Sequence, residues 1–214
     1  MNPYFEIHVG IPTQHQGHVT PFLNDRWKIR SFEGFIHPPG RHGEGEHDVE
    51  AGATIVATRR YSTLIDVERD IQAAKDLLIL SPGARIEVEA VLFKSGCSVY
   101  NGVLFQAPRW GDDRLIRQLY NVPKFESHIA MEATDGTILN FGAIVETLGK
   151  ITNGLHELAY SRDSAKAIGT FFFSDRQTMA VETLRICHEF TRRFPNSIEQ
   201  NVTMEQILIC LAKR

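Results

Sequence analysis

Two short strings, Phe5-Glu6-Ile7-His8-Val9 and Phe125-Glu126-Ser127-His128-Ile129, each set a glutamate two residues before a histidine, and they stand 120 residues apart. In an extended strand, residues i and i+2 project from the same face. A carboxylate beside an imidazole raises the imidazole pKa and fixes its tautomer, which suits general acid–base work. Two such histidines on opposite walls of a cleft can serve as the acid and the base of one displacement. Arg59 and Arg176 close a candidate strand and open a candidate helix in each half. Arginine offers a fork to phosphate or carboxylate, and helix N-termini favour anions. The expected site therefore has His8 and His128 as acid and base, Glu6 and Glu126 as their orienting partners, and Arg59 and Arg176 as substrate-binding residues. The substrate it points to is a small anionic molecule, a phosphate ester or a nucleotide.

The same residues support two other readings. Glu6, His8, Glu126 and His128 form a plausible His2Glu2 ligand set for a divalent metal, as a metal-dependent enzyme uses. The cleft also suits a non-catalytic binder or sensor of anions. A second cluster, His37, His42, Glu44, Glu46, His47 and Asp48, has ligand chemistry too. It lies among Pro38, Pro39, Gly40, Gly43 and Gly45, so it reads first as a solvated loop, with a metal site or a lid over the cleft as alternatives. Without a metal, the leading reading needs no cofactor. Ser161 to Lys166 reads as an exposed polar connection, and Phe171-Phe172-Phe173 as core on both faces of a strand.

The elements that must position these residues follow from hydrophobic periodicity. Residues 3–11 alternate, with Phe5, Ile7, Val9 and Ile11 on one face and Glu6 and His8 on the other. Strands are expected at about 27–36, 54–59, 86–93, 124–133, 155–160 and 167–174. Helices are expected at about 63–80, where Leu64, Val67, Ile71, Ala74 and Leu78 make an apolar stripe, at 138–150, and at 177–194. Pro82-Gly83 and Pro195-Asn196 stop the first and last of these. Residues 94–123 are poorly patterned, with a short helix possible at 112–120. From Ile198 the chain reads as one strand, or as a short strand and a helix capped by Thr203 and Gln206.

Short matches recur in the same order. Beyond the Glu-x-His strings, Ile55–Arg59 matches Phe172–Arg176 at an offset of 117, and Ile86-Glu87 matches Ile198-Glu199 at an offset of 112. The expectation is an internal duplication: residues 1–107 and 108–214 as two α+β halves, each a ferredoxin-like unit, packed about a pseudo-two-fold axis with a shared cleft. Residues 12–51 show no good helix, so the first half departs from the ferredoxin-like order.

A strand bearing an inward histidine, used twice in a two-lobed α+β chain, resembles the 2H phosphoesterases. Their two His-φ-(Ser/Thr)-φ motifs would correspond to His8-Val9-Gly10-Ile11 and His128-Ile129-Ala130-Met131. The resemblance implies a metal-free phosphoesterase with the two histidines as acid and base. Gly10 and Ala130 replace both hydroxyl residues, so phosphate binding at that position is absent, and Glu6 and Glu126 are additions to the motif.

Composition sets outer bounds. The 214 residues are 43% hydrophobic and 23% charged with a net charge of −3, so a packed core is expected and bulk nucleic-acid binding is not. No apolar stretch approaches the roughly 20 residues of a membrane span. The first residues lack a basic-then-apolar signal pattern, and Cys97, Cys187 and Cys210 form no Cys-x-x-Cys pair, which reads as a cytoplasmic protein with reduced thiols.

Overall fold

A computed structural model of the chain describes residues 4–15, 17, 26–32, 34–36, 49–50, 54–81, 83–96, 99–100, 104–106, 108, 115–119, 124–134, 139–151, 155–161, 166–195 and 198–213. The protein is α+β. Its strands are β1 (Phe5–Pro12), β2 (Lys28–Phe32), β3 (Gly34–Ile36), β4 (Val49–Glu50), β5 (Thr54–Tyr61), β6 (Arg85–Lys94), β7 (Val99–Tyr100), β8 (Ile116–Gln118), β9 (Phe125–Ala133), β10 (Leu155–Ser161), β11 (Lys166–Phe173) and β12 (Ile198–Lys213). Its helices are α1 (Leu64–Leu80), α2 (Phe141–Ile151) and α3 (Arg176–Arg193). No helix among the described residues is long and apolar enough to cross a membrane.

The strands form one antiparallel sheet in the order β2-β5-β1-β6-β12-β9-β11-β10-β3-β4. The sheet curls into a half-barrel. β2 pairs with β5 at one end, and β3, one residue further along the chain, pairs with β10 near the other. The order around β1 (β6-β1-β5-β2) matches the order around β9 (β12-β9-β11-β10). The two stretches meet where β6 pairs with β12.

Alternation in the sequence decides which face is which. Phe5, Ile7, Val9 and Ile11 are fully buried and pack against α1 through Val67, Ile71, Ala74 and Leu78. Ile129 and Met131 do the same against α3, through Met179, Ile186 and Phe190. Helices thus cover the convex face, and the other face of the strands is left concave. Both long helices start on a side-chain cap: the Asp66 amide donates to Thr63 Oγ1 (3.2 Å) and the Thr178 amide to Asp175 Oδ1 (2.8 Å). After α1 the chain reverses through Gly83, whose φ of +82° favours glycine.

β12 is the shared element. Its first part pairs with β9 and its later part with β6. Val202 and Met204 join the second core, and Leu208, Ile209 and Leu211 the first. Residues 198–213 are therefore strand throughout, and the helix reading with a Thr203–Gln206 cap is overturned. Both faces of this strand are buried near its end, so its continuous apolar run lacked the alternation that marks a strand. The short helix considered at 112–120 gives way to β8, which pairs with Leu211–Lys213. The stretch between β1 and β2 is described only at a 3-10 turn, Thr13–His15, at Gly17, and at Arg26 and Trp27. The absence of a helix expected there lies mostly outside the described residues.

Candidate functional site

On the concave face both histidines reach one cavity of about 250 Å³, lined by Glu6, His8, His128 and Glu205 among others; Glu126, expected there, is not among the lining residues. Strand register explains the meeting. Glu6 pairs across to Glu89 on β6, and Glu126 to Glu205 on β12. Because β6 and β12 are neighbours, Glu89 and Glu205 stand side by side in the middle, flanked by the two Glu-x-His strands. The register shifts between Met204 and Glu205, where Leu92 of β6 is left without a partner across the pair.

Each histidine is held in the same way. His8 Nδ1 lies 3.1 Å from Thr58 Oγ1, and His128 Nδ1 lies 3.0 Å from Thr170 Oγ1. His8 Nε2 is 3.0 Å from both Glu6 Oε2 and Glu89 Oε2. His128 Nε2 is 3.1 Å from Glu126 Oε1 and 3.3 Å from Glu205 Oε2. Glu6, Glu89, Glu126 and Glu205 are all buried, the central two at 1% exposure each. Burial lowers an imidazole's pKa, but the carboxylates outweigh it: His8 is raised by Glu6, Glu205 and Glu126, and His128 is raised well above its usual range by Glu126 and Glu205. Glu126 is itself held down at about 2, because His128 and a hydrogen bond from Glu89 outweigh burial. Glu89 is pushed well up by burial, then by Glu126 and Glu205.

The cavity wall is charged on one side. Lys28, Arg30, Arg60 and Lys94 all line it. Arg60 Nε donates to Glu6 Oε1 (3.1 Å), Tyr4 Oη donates to the same oxygen (2.6 Å), and Lys94 Nζ is 3.8 Å away. Lys28 is held below its usual range, first by Arg30, then by burial and by Arg60 and Lys94. Across from these cations the lining is apolar, with Ala130, Ala159 and Ile168.

The arginines singled out in the sequence lie elsewhere. Arg59 alternates with Thr58 and Arg60, so it points to the convex side, where it pairs with Asp70 and stacks on Tyr61. Arg176 is the first residue of α3, and neither it nor Arg59 is among the residues lining the cavity. Register also shows that they are not counterparts. Thr58 pairs with His8 and Thr170 with His128, so the position of Arg59 corresponds to Phe171. Of the two neighbours on β5, Arg60 and not Arg59 lines the cavity. The four-residue metal set is likewise divided: the ligand-type atoms gather as Glu89, Glu126, His128 and Glu205, and as Glu6, His8 and Glu205, each within 4.8 Å.

Glu89 and Glu205 carry no local signature. Glu89 follows Glu87 in β6 and Glu205 follows Glu199 in β12, and only the pairing of β6 with β1 and of β12 with β9 brings them to the histidines. Their one visible sign is a charge set among buried neighbours, in Val88-Glu89-Ala90 and Met204-Glu205. His37, His42 and His47, with Glu44, Glu46 and Asp48, lie outside the described residues, as does Cys97. Cys187 and Cys210 are free thiols, with pKa values raised by burial to about 11 and about 12. No protein-family model, curated protein or solved structure matches the chain.

Proposed function

We propose that the protein is an enzyme acting on a small anionic substrate, of the phosphate-ester class, in the concave cavity. The observation that carries this reading is one half-open cavity with four cationic side chains on its wall and two histidine–glutamate clusters at its base. Lys28, crowded by like charges, is in the state an incoming dianion would relieve. The anion sits against Lys28, Arg30, Arg60 and Lys94. The organic part of the substrate lies toward Ala130, Ala159 and Ile168.

The reaction is hydrolysis. A water oxygen attacks phosphorus, the P–O bond to the leaving group breaks, the floor carboxylates take the water's proton, and the departing oxygen takes one from protonated His8. A raised imidazole pKa supports the role of donor. It does not support His8 and His128 as an acid and a base of equal standing, because the carboxylates favour the protonated form of both rings. The 2H phosphoesterase resemblance points to the same substrate class. The shared strand orders around β1 and β9, and their matching His–Thr–Glu contacts, support one ferredoxin-like unit used twice about a pseudo-two-fold axis.

The test is a panel of phosphate monoesters, cyclic and linear phosphodiesters and nucleotides, assayed with and without EDTA and with inorganic phosphate as the binding probe. Turnover of at least one class is expected, with Arg60→Ala weakening phosphate binding. A chain that neither binds phosphate nor turns over any of these esters sinks the proposal.

A further inference from the structure

The two histidine clusters look alike at first contact, yet they differ in what surrounds their carboxylates. We infer that the Glu89–Glu126–His128–Glu205 group is the seat of one divalent first-row cation, with Glu6 and His8 outside its ligand shell. This deepens the function proposed above, on which it rests only for what the ion does there.

Geometry is the first support. One atom from each of the four residues lies within 4.8 Å of the others. His128 Nε2 stands 3.1 Å from Glu126 Oε1 and 3.3 Å from Glu205 Oε2. Ligand atoms about 2.1 Å from a common metal and meeting near right angles are about 3 Å apart, so these separations suit a shared ion. The Thr170 hydroxyl at Nδ1 fixes the ring so that Nε2 faces the carboxylates, as the outer partner of a metal-bound histidine does.

The second support is unmet polar demand. Glu205 Oε1 is a buried atom with no hydrogen-bond partner, and Glu89 Oε2, also without a hydrogen bond, has only the His8 imidazole 3.0 Å away. Three buried carboxylates face one imidazole here. Gathered buried carboxylates are costly without a cation, and a divalent ion would hold them together while giving Glu205 Oε1 a partner. Carboxylates favour manganese and the imidazole favours zinc or iron, so the mixed set suits a first-row ion better than calcium.

The His8 cluster, where atoms of Glu6, His8 and Glu205 also lie within 4.8 Å and His8 Nε2 has no hydrogen bond, differs in the charge around it. Glu6 Oε1 is already taken by Tyr4 and Arg60, with Lys94 close by. Two side-chain cations beside this carboxylate repel a third, and they leave Glu6 with one oxygen, Oε2, at His8. That cluster suits a proton donor next to an anion.

An ion at His128 would bind beside the substrate anion and lower the pKa of a bound water, so that hydroxide is available near neutral pH. The water's proton goes to solvent or a floor carboxylate, and His8 still protonates the leaving oxygen.

The experiment is calorimetry of the chelator-treated chain with manganese chloride and with zinc chloride, in the absence of substrate. One ion per chain is expected. Glu126→Gln and Glu205→Gln should each weaken it at least about a hundredfold, and His8→Ala less than tenfold. Should the glutamine variants fail to fold, imidazole nitrogen NMR of the native chain with zinc answers the same question, because His128 Nε2 should move to the metal-bound range while His8 does not. Absence of saturable binding, unaltered binding in the Glu126→Gln/Glu205→Gln double variant, or a metal-bound His8 overturns the inference. An ion that binds as described to a chain without phosphate-ester turnover supports the inference and sinks only the reading of function. Turnover that persists in EDTA with no ion bound does the reverse.

Discussion

The His8 and His128 sides of the cavity use the same four residues, two glutamates, a histidine and a threonine, in the same contacts, yet their neighbours differ. Around His8, the rung that holds Glu6 ends on Arg60. Around His128, the corresponding rung from Glu126 ends on Phe172. Thr58 and Thr170 are alike, Glu89 and Glu205 are alike, but cations crowd the first side and apolar residues line the second. A repeated motif therefore does not imply a repeated task. The floor is symmetric in its ligand-type atoms, while the wall decides which copy keeps its proton and which copy has charge to spare.

The largest effects should come from the histidines. His8→Ala and His128→Ala should each lower turnover of a phosphate ester by about a hundred- to ten-thousand-fold. Added manganese or zinc should alter the dependence on metal concentration only through His128. Equal metal dependence in the two variants breaks the comparison between the sides.

The cationic wall comes next. Arg60→Ala and Lys94→Ala should each weaken phosphate binding roughly tenfold, about 1.4 kcal/mol, with a loss that shrinks at high salt. Arg59→Ala and Arg176→Ala should leave phosphate affinity unchanged, since neither side chain lines the cavity. Titration calorimetry of the four variants at two salt concentrations checks this.

Acid and base should then act on the stability of the metal-free chain in opposite directions. Glu126, held below its ordinary 4.5, adds stability that is present above that value and lost as pH falls toward about 2. His8 and His128, held above their ordinary 6.5, add stability that is present below that value and lost as pH rises through their folded values. Glu89, raised by burial and its neighbours, adds to the alkaline loss. The melting temperature in EDTA should therefore peak at weakly acidic pH. Manganese or zinc should flatten the alkaline side, and a curve that does not change with metal argues against a cation at His128.

The smallest expected difference lies at the helix starts. Thr63→Ala and Asp175→Ala each remove a cap, at a cost of about 1 kcal/mol in either half, measurable by chemical denaturation with no change in metal binding.

Much of this was legible because alternation is a local signal. Phe5, Ile7, Val9 and Ile11 against Glu6 and His8 read correctly as core face and open face, and the stripe of α1 read as a helix. What failed depended on register. The offset of 117 matched Arg59 to Arg176 through resemblance of short strings, whereas strand pairing sets the offset here at 112, with Ser62-Thr63 and Ser174-Asp175 entering the two helices. Glu89 and Glu205 were invisible for the same reason: which residue faces a histidine from the next strand is fixed by tertiary pairing, and nothing within β6 or β12 declares it.

β12 has a consequence for how the protein is made on the ribosome. It supplies Glu205, completes both cores and, among the described residues, is the only strand that joins β6 to β9, yet it follows every other described element in the chain. During synthesis β6 waits with an open edge, and the buried carboxylate of Glu89 faces water until residues 198–213 emerge. Contacts between β12 and β6 span more than 100 residues, so closing them is entropically slow. Folding should therefore be a late, all-or-none event rather than one half after the other, and the nascent chain would expose a sticky strand edge that a chaperone can shield.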